Sequence, residues 1–125
     1  MSQVTFVLVL FAGFQIKHLF CDGPLQTLAM VQAKSHYGRP LGIAHAAIHG
    51  AGTFLVFLIA GSGLALILAI VDFVIHYHID FTKENIVKHF GWTPKDGPFW
   101  WALMADQALH HLTSIALIWL SLRPA

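Results

Sequence analysis

Four apolar stretches, each about as long as a bilayer's hydrocarbon core is thick, constrain this chain more than anything else in it. They cover about residues 4–21, 41–60, 64–81 and 98–122. A helix needs about 20 apolar residues to cross a layer of about 30 Å. Strand-type alternation is absent, and an isolated span must satisfy its own backbone hydrogen bonds, which leaves the helix. The middle two stretches would make one run of about forty residues, twice too long for a single crossing at about 1.5 Å per residue. Gly61-Ser62-Gly63 divides that run, and because glycine tolerates positive φ the triplet predicts a tight helical hairpin. The expected fold is all-α: one transmembrane domain over residues 1–125, an integral-membrane four-helix bundle running up-down-up-down.

Composition agrees and removes other classes. Hydrophobic residues are 57% of the chain and charged residues only 10%, against roughly 25% charged in soluble domains. Too little charge is present to cover a water-facing surface, and too much apolar content for disorder. A net charge of +1 offers no basic face for nucleic acid. A single cysteine, Cys21, rules out an internal disulfide or a cysteine-based zinc finger. The nine histidines then call for an explanation.

The loops orient the spans. Lys17, Lys34, Arg39, Lys83, Lys88 and Lys95 fall at or between spans one and two or three and four, and Arg123 alone lies at the other end. Such a bias places the two long loops in the cytoplasm and both termini outside. Trp92, Trp100 and Trp101 cluster toward the cytoplasmic end and Trp119 toward the other, as interfacial anchors do. Short interfacial helices are expected within residues 25–33 and 84–90. The first span lacks a basic leader and a small-residue cleavage site, so it reads as a retained helix.

Each span carries one pair of polar residues spaced i, i+4: His18 and Asp22, His45 and His49, His76 and Asp80, Asp106 and His110. That spacing sets both members of a pair on one helical face. In an up-down-up-down bundle the four pairs share a depth, about 21 Å from the hairpin at helical rise. Imidazole mixed with carboxylate and no thiolate suits a divalent metal, Zn, Fe or Mn, as one or two ions. The competing reading is a metal-free network of interhelical hydrogen bonds, although eight ionisable residues are a costly way to join four helices in a membrane. Around the pairs, Gln26, Asp72, Lys83 and Gln107 are candidates to orient the ligands or meet a substrate. Lys83 reads either as a partner of Asp80 or of a substrate anion, or as a snorkelling lysine, and Asp72 either as a proton-path or ligand-orienting group or as a protonated acid bonded to Thr53 or Ser114. His36, His78, His89 and His111 are read as loop or outward-facing residues, and Cys21 as a small buried hydrophobe.

The ordered set of His18, Asp22, Gln26 and Lys34, then His45 and His49, then His76, Asp80 and Lys83, then Asp106, Gln107 and His110 resembles a family of small bacterial integral-membrane proteins, domain of unknown function 3307. The resemblance spans nearly the whole chain. It implies a bacterial inner-membrane protein of three or four helices, without an established activity. The pattern is distantly similar to membrane-bound metal-dependent hydrolases. Asp72, His78 and His111 are additions to it.

Three functions are compatible with these letters. One is an intramembrane metalloenzyme, most plausibly a hydrolase, with a metal acidifying water and an unligated aspartate as base. Another is a non-catalytic subunit of a larger energy-converting membrane complex, whose partners would be other membrane subunits or further copies of this chain. The last is metal-ion or proton transport through the acidic and histidine groups. Haem held between two histidines is disfavoured by the surrounding aspartates. In every case the lipid bilayer is the expected surrounding.

Overall fold

The computed structural model describes residues 1–123 and is helical throughout its regular structure: α1 (Gln3–Asp22), α2 (Leu28–Ala33), α3 (Pro40–Ile59), α4 (Ala65–Phe90) and α5 (Gly97–Ser121). The hairpin forms where the glycines put it. Gly61 adopts φ +77° between α3 and α4, a backbone state that any side chain would strain. Thr27 starts α2 by accepting the Met30 amide on its Oγ1, relieving one of the free donors of a first turn.

α1, α3 and α4 are long and apolar enough to cross a membrane. α5 has the length, but Asp106, Gln107, His110 and His111 lower its mean hydropathy, and it does not join them. The interfacial helix expected at residues 25–33 is shorter, starting at Leu28. The one expected at residues 84–90 is no separate helix: α4 continues past residue 81 to Phe90 and stops at Gly91, at φ +65°. No proline or glycine interrupts Thr82 to Phe90, so the polar change there marks a new surrounding and not a helix end.

α3 packs on α4, α4 on α5, α5 on α1 and α1 on α3, while α2 rests on α3. Small residues on α3 bring the helices close. A Cβ on Gly50 would lie 3.1 Å from the Phe73 Cβ and 3.2 Å from the Ala69 carbonyl on α4. One on Gly42 would lie 3.3 Å from the Ala33 carbonyl of α2. Such close approach is the usual device of helices packing without a hydrophobic driving force between them.

The interior is layered along the helices. Leu10, Phe14, Phe57, Leu68, Leu117 and Ile118 fill the half nearest the hairpin, with Phe14 and Phe57 meeting edge to face at 5.5 Å. The other half is polar, and it is there that the paired histidines and aspartates lie. Outward faces are apolar: Leu8, Ile59, Ile67 and Leu112 are all more than half exposed.

Candidate metal centre

The four i, i+4 pairs arrive at one place because each helix turns its paired face inward at the same level. His45, His49, His76, Asp80, Asp106 and His110 are buried, and His18 and Asp22 are partly covered at the end of α1. Asp22 Oδ1 lies 2.8 Å from His49 Nε2 and 3.3 Å from His45 Nε2, while its Oδ2 lies 3.3 Å from His18 Nε2. Asp80 Oδ2 lies 3.3 Å from His76 Nε2 and 3.5 Å from His45 Nε2, and its Oδ1 lies 3.1 Å from His110 Nε2. His110 is in turn 3.4 Å from Asp106 Oδ1. All eight residues thus belong to one connected network spanning four helices. The His76 ring stacks between those of His49 and His110, with centroids at 3.7 and 4.0 Å.

Within the network two sets have all their ligand atoms within 4.8 Å of one another: Asp22, His45, His49 and His76, and His76, Asp80 and His110. His76 belongs to both. His18 and Asp106 stand outside the sets, although they touch their members.

The decisive detail is orientation. His45 Nε2 and His76 Nε2 are buried without a hydrogen-bond partner and lie 3.5 and 3.3 Å from Asp80 Oδ2, an oxygen that makes no well-directed hydrogen bond itself but has the Lys34 ammonium 3.2 Å away. Their distances would permit hydrogen bonds, and their angles do not. A buried polar group left unpaired costs about 1–3 kcal/mol, so two imidazole nitrogens left unpaired beside one carboxylate are expensive unless something there accepts their lone pairs. A divalent cation does, and the donor set of imidazole nitrogen and carboxylate oxygen fits it.

The flanking residues behave differently from one another. Gln107 accepts the His18 Nε2 proton on its Oε1 at 2.8 Å and donates to Asp106 Oδ2 at 3.0 Å, which fixes one ring and one acid as outer partners do. Gln26 bonds the Asp22 carbonyl and accepts from Lys34 at 2.8 Å. Lys34, carried by the end of α2, is buried with its Nζ 3.2 Å from Asp80 Oδ2. The ammonium beside Asp80 is therefore Lys34, whereas Lys83 bonds Glu84. Asp72 sits a turn deeper and accepts from Thr53, one of the two partners expected of it, but it also holds Lys17 Nζ at 2.7 Å, so it is an ion-paired carboxylate and not the protonated acid of that reading.

Lys17 and Lys34 were read in the sequence as loop charges that orient the spans. Their structural place is inside. Lys17 Nζ also donates to Thr53 Oγ1 at 2.9 Å, and its side chain is 7% exposed. Gly52 opposite leaves the room, since a Cβ there would lie 2.7 Å from Lys17 Cγ. The glycine was the one available signal. His78 is exposed and pairs with Tyr37. His111 lies partly buried against His18, centroids 5.2 Å apart. Cys21 is buried, its Sγ 3.8 Å from the Ile48 carbonyl.

Among known proteins, a family model described as "Protein of unknown function (DUF3307)" matches residues 9–124. No curated protein and no solved structure matches the chain.

Proposed function

The chain belongs to the DUF3307 family, and we propose that it is an integral-membrane, metal-dependent hydrolase whose centre lies just inside the cytoplasmic face of a four-helix bundle. The observation that carries this reading is the meeting of the unpartnered His45 and His76 Nε2 atoms at the Asp80 carboxylate in a buried volume. In this reading α5 crosses the bilayer with α1, α3 and α4, because the ring of contacts among the four leaves it no separate place. The outward apolar faces meet lipid, since exposed apolar surface on this scale has no place in water. With Lys17 and Lys34 turned inward, Arg39, Lys83, Lys88 and Lys95 still flank the polar end against Arg123 alone. That bias supports a bacterial inner-membrane protein with both termini periplasmic.

Asp22, His45, His49, His76, Asp80 and His110 would hold one or two divalent ions. A metal so held supplies Lewis-acid polarisation and an acidified water. The protein's own groups do the rest. Asp106 lies beside the ligand sets with one oxygen unpartnered, placed to take a proton from water as general base. Gln107 holds the other Asp106 oxygen, and the Lys34 ammonium is near enough to stabilise negative charge gathering on a substrate oxygen.

The test is elemental analysis of the chain purified from membranes, with His76→Ala alongside. A first-row metal at one or two equivalents in the wild type, lost in the variant, supports the reading. A metal-free protein that binds none on titration with Zn, Fe or Mn overturns it.

A further inference from the structure

A groove of about 780 Å³ runs between α4 and α5 on the outward face of the molecule, lined by Val74, Ile75, Ile79, Ile86, Trp101 and Leu109. Its volume lies within the usual range for a small-molecule site, about 300–1,000 Å³. Val74, Ile75, Ile86, Trp101 and Leu109 are all well exposed, so the groove opens sideways and not toward either end of the helices. Along α4 it extends from Val74 to Ile86, about 18 Å at helical rise, close to the roughly 15 Å of one leaflet's hydrocarbon. An acyl chain lying along the helices matches both the length and the chemistry of that wall.

His78, bonded to Tyr37, and Thr82 lie in its α4 wall, and charged or interfacial groups enter it at two further places. Lys83 and Trp92 lie toward its cytoplasmic end, where a headgroup would sit beside an interfacial tryptophan. Asp106 lines the wall partway along. Its side chain is 4% exposed, and its Oδ1 is buried with no hydrogen-bond partner. That oxygen is 3.4 Å from His110 Nε2, so the groove reaches the candidate metal centre through a single side chain.

We propose that this groove seats an anionic phospholipid of the surrounding leaflet, with its acyl chain along Val74, Ile75 and Leu109, its phosphate on Lys83 and its polar linkage facing Asp106. As the substrate class of the centre it rests on the hydrolase reading; as a binding site it does not. Lys83 bonds Glu84, and both side chains are partly exposed, so a phosphate can take the ammonium over without uncovering a buried charge. Because His110 meets Asp80 and α5 runs antiparallel to α4, Asp106 one turn on is level with Lys83, so the linkage next to a phosphate held there lies beside it.

The experiment uses the full chain in nanodiscs of phosphatidylglycerol doped with a photoreactive-acyl phosphatidylglycerol, against the same with phosphatidylcholine. Labelled peptides are mapped by mass spectrometry and metal content is read on the same samples. Labels are expected on α4 and α5 within the groove, several-fold stronger with the anionic lipid. Ala102→Phe combined with Ala105→Phe fills the groove and is expected to cut labelling at least ten-fold, with helix and metal content unchanged. Lys83→Ala is expected to erase the preference for the anionic headgroup. Wild-type labels spread equally over the outward faces of α1 and α3, equal labelling by the two lipids, or a native-membrane crosslink from the groove to another protein helix each overturn the proposal. Groove labelling on a metal-free protein overturns the hydrolase reading and leaves the lipid site standing.

Discussion

Replacing Lys17 by methionine tests how this protein tolerates charge in its interior. The Lys17 ammonium lies 2.7 Å from Asp72 Oδ2 and 2.9 Å from Thr53 Oγ1, with the two charged side chains 7% and 5% exposed. Methionine keeps the stem and removes the charge, leaving Asp72 with Thr53 alone. Breaking a buried pair in this way costs about 3–5 kcal/mol. An independent bound gives the same size: an aspartate can escape by taking up a proton, which at neutral pH costs about 4 kcal/mol, at about 1.36 kcal/mol per pH unit over three units. For a chain of this length, a loss of about 4 kcal/mol lowers Tm by about 12–20 °C. Thermal unfolding in a mild detergent, followed by circular dichroism, reads that shift. Adding Asp72→Asn to the Lys17→Met chain removes the orphaned charge and is expected to restore at least half of the loss, a coupling of about 2 kcal/mol or more. A Lys17→Met protein as stable as the wild type, or a double variant worse than either single one, would refute the reasoning.

Removal of metal by a chelator is expected to lower Tm by about 8–14 °C, because occupancy at about 100 times Kd contributes about 2.7 kcal/mol; returning the metal restores it, and an unchanged melt counts against a centre that ties the helices together. His110→Ala is expected to lower metal content, since His110 belongs to one ligand set, whereas His111→Ala leaves it at the wild-type value by elemental analysis. Gly50→Leu forces side-chain atoms into Phe73 and the Ala69 carbonyl and is expected to destabilise by about 1–3 kcal/mol in the same melts; a neutral result would mean that α3 and α4 can separate freely.

The meeting of the four polar pairs was legible in the letters because a spacing of four fixes a helix face whatever surrounds the helix. His45 with His49 and His76 with Asp80 needed only helix and depth to be placed together, and the Gly61–Gly63 break supplied the depth. What stayed hidden depended on long side chains and on chain direction. Lys17 and Lys34 each carry a flexible stem, and hydropathy cannot tell one that snorkels outward from one that folds in upon an acid. The pairing of Asp80 with Lys34 required knowing that α2 folds back onto Gly42, a contact between elements with no local signature. Lys83, three residues past Asp80, is closer in sequence and still turns to Glu84. The continuation of α4 to Phe90 was masked because the usual sign of a span's end is polarity, and a helix leaving a membrane changes polarity without changing its backbone. Asp72 illustrates the intermediate case: Thr53 stood with Ser114 among its expected partners, and the ammonium that joins Asp72 and Thr53 did not.

X-ray absorption at the metal edge of the purified, detergent-solubilised protein tests the central claim most directly. The account predicts a first shell of nitrogen and oxygen at about 2.0–2.2 Å with the outer-shell scattering of several imidazoles, reduced by at least one imidazole in His76→Ala. A shell containing sulfur, or a protein whose edge signal is no greater in the wild type than in His76→Ala, would contradict it.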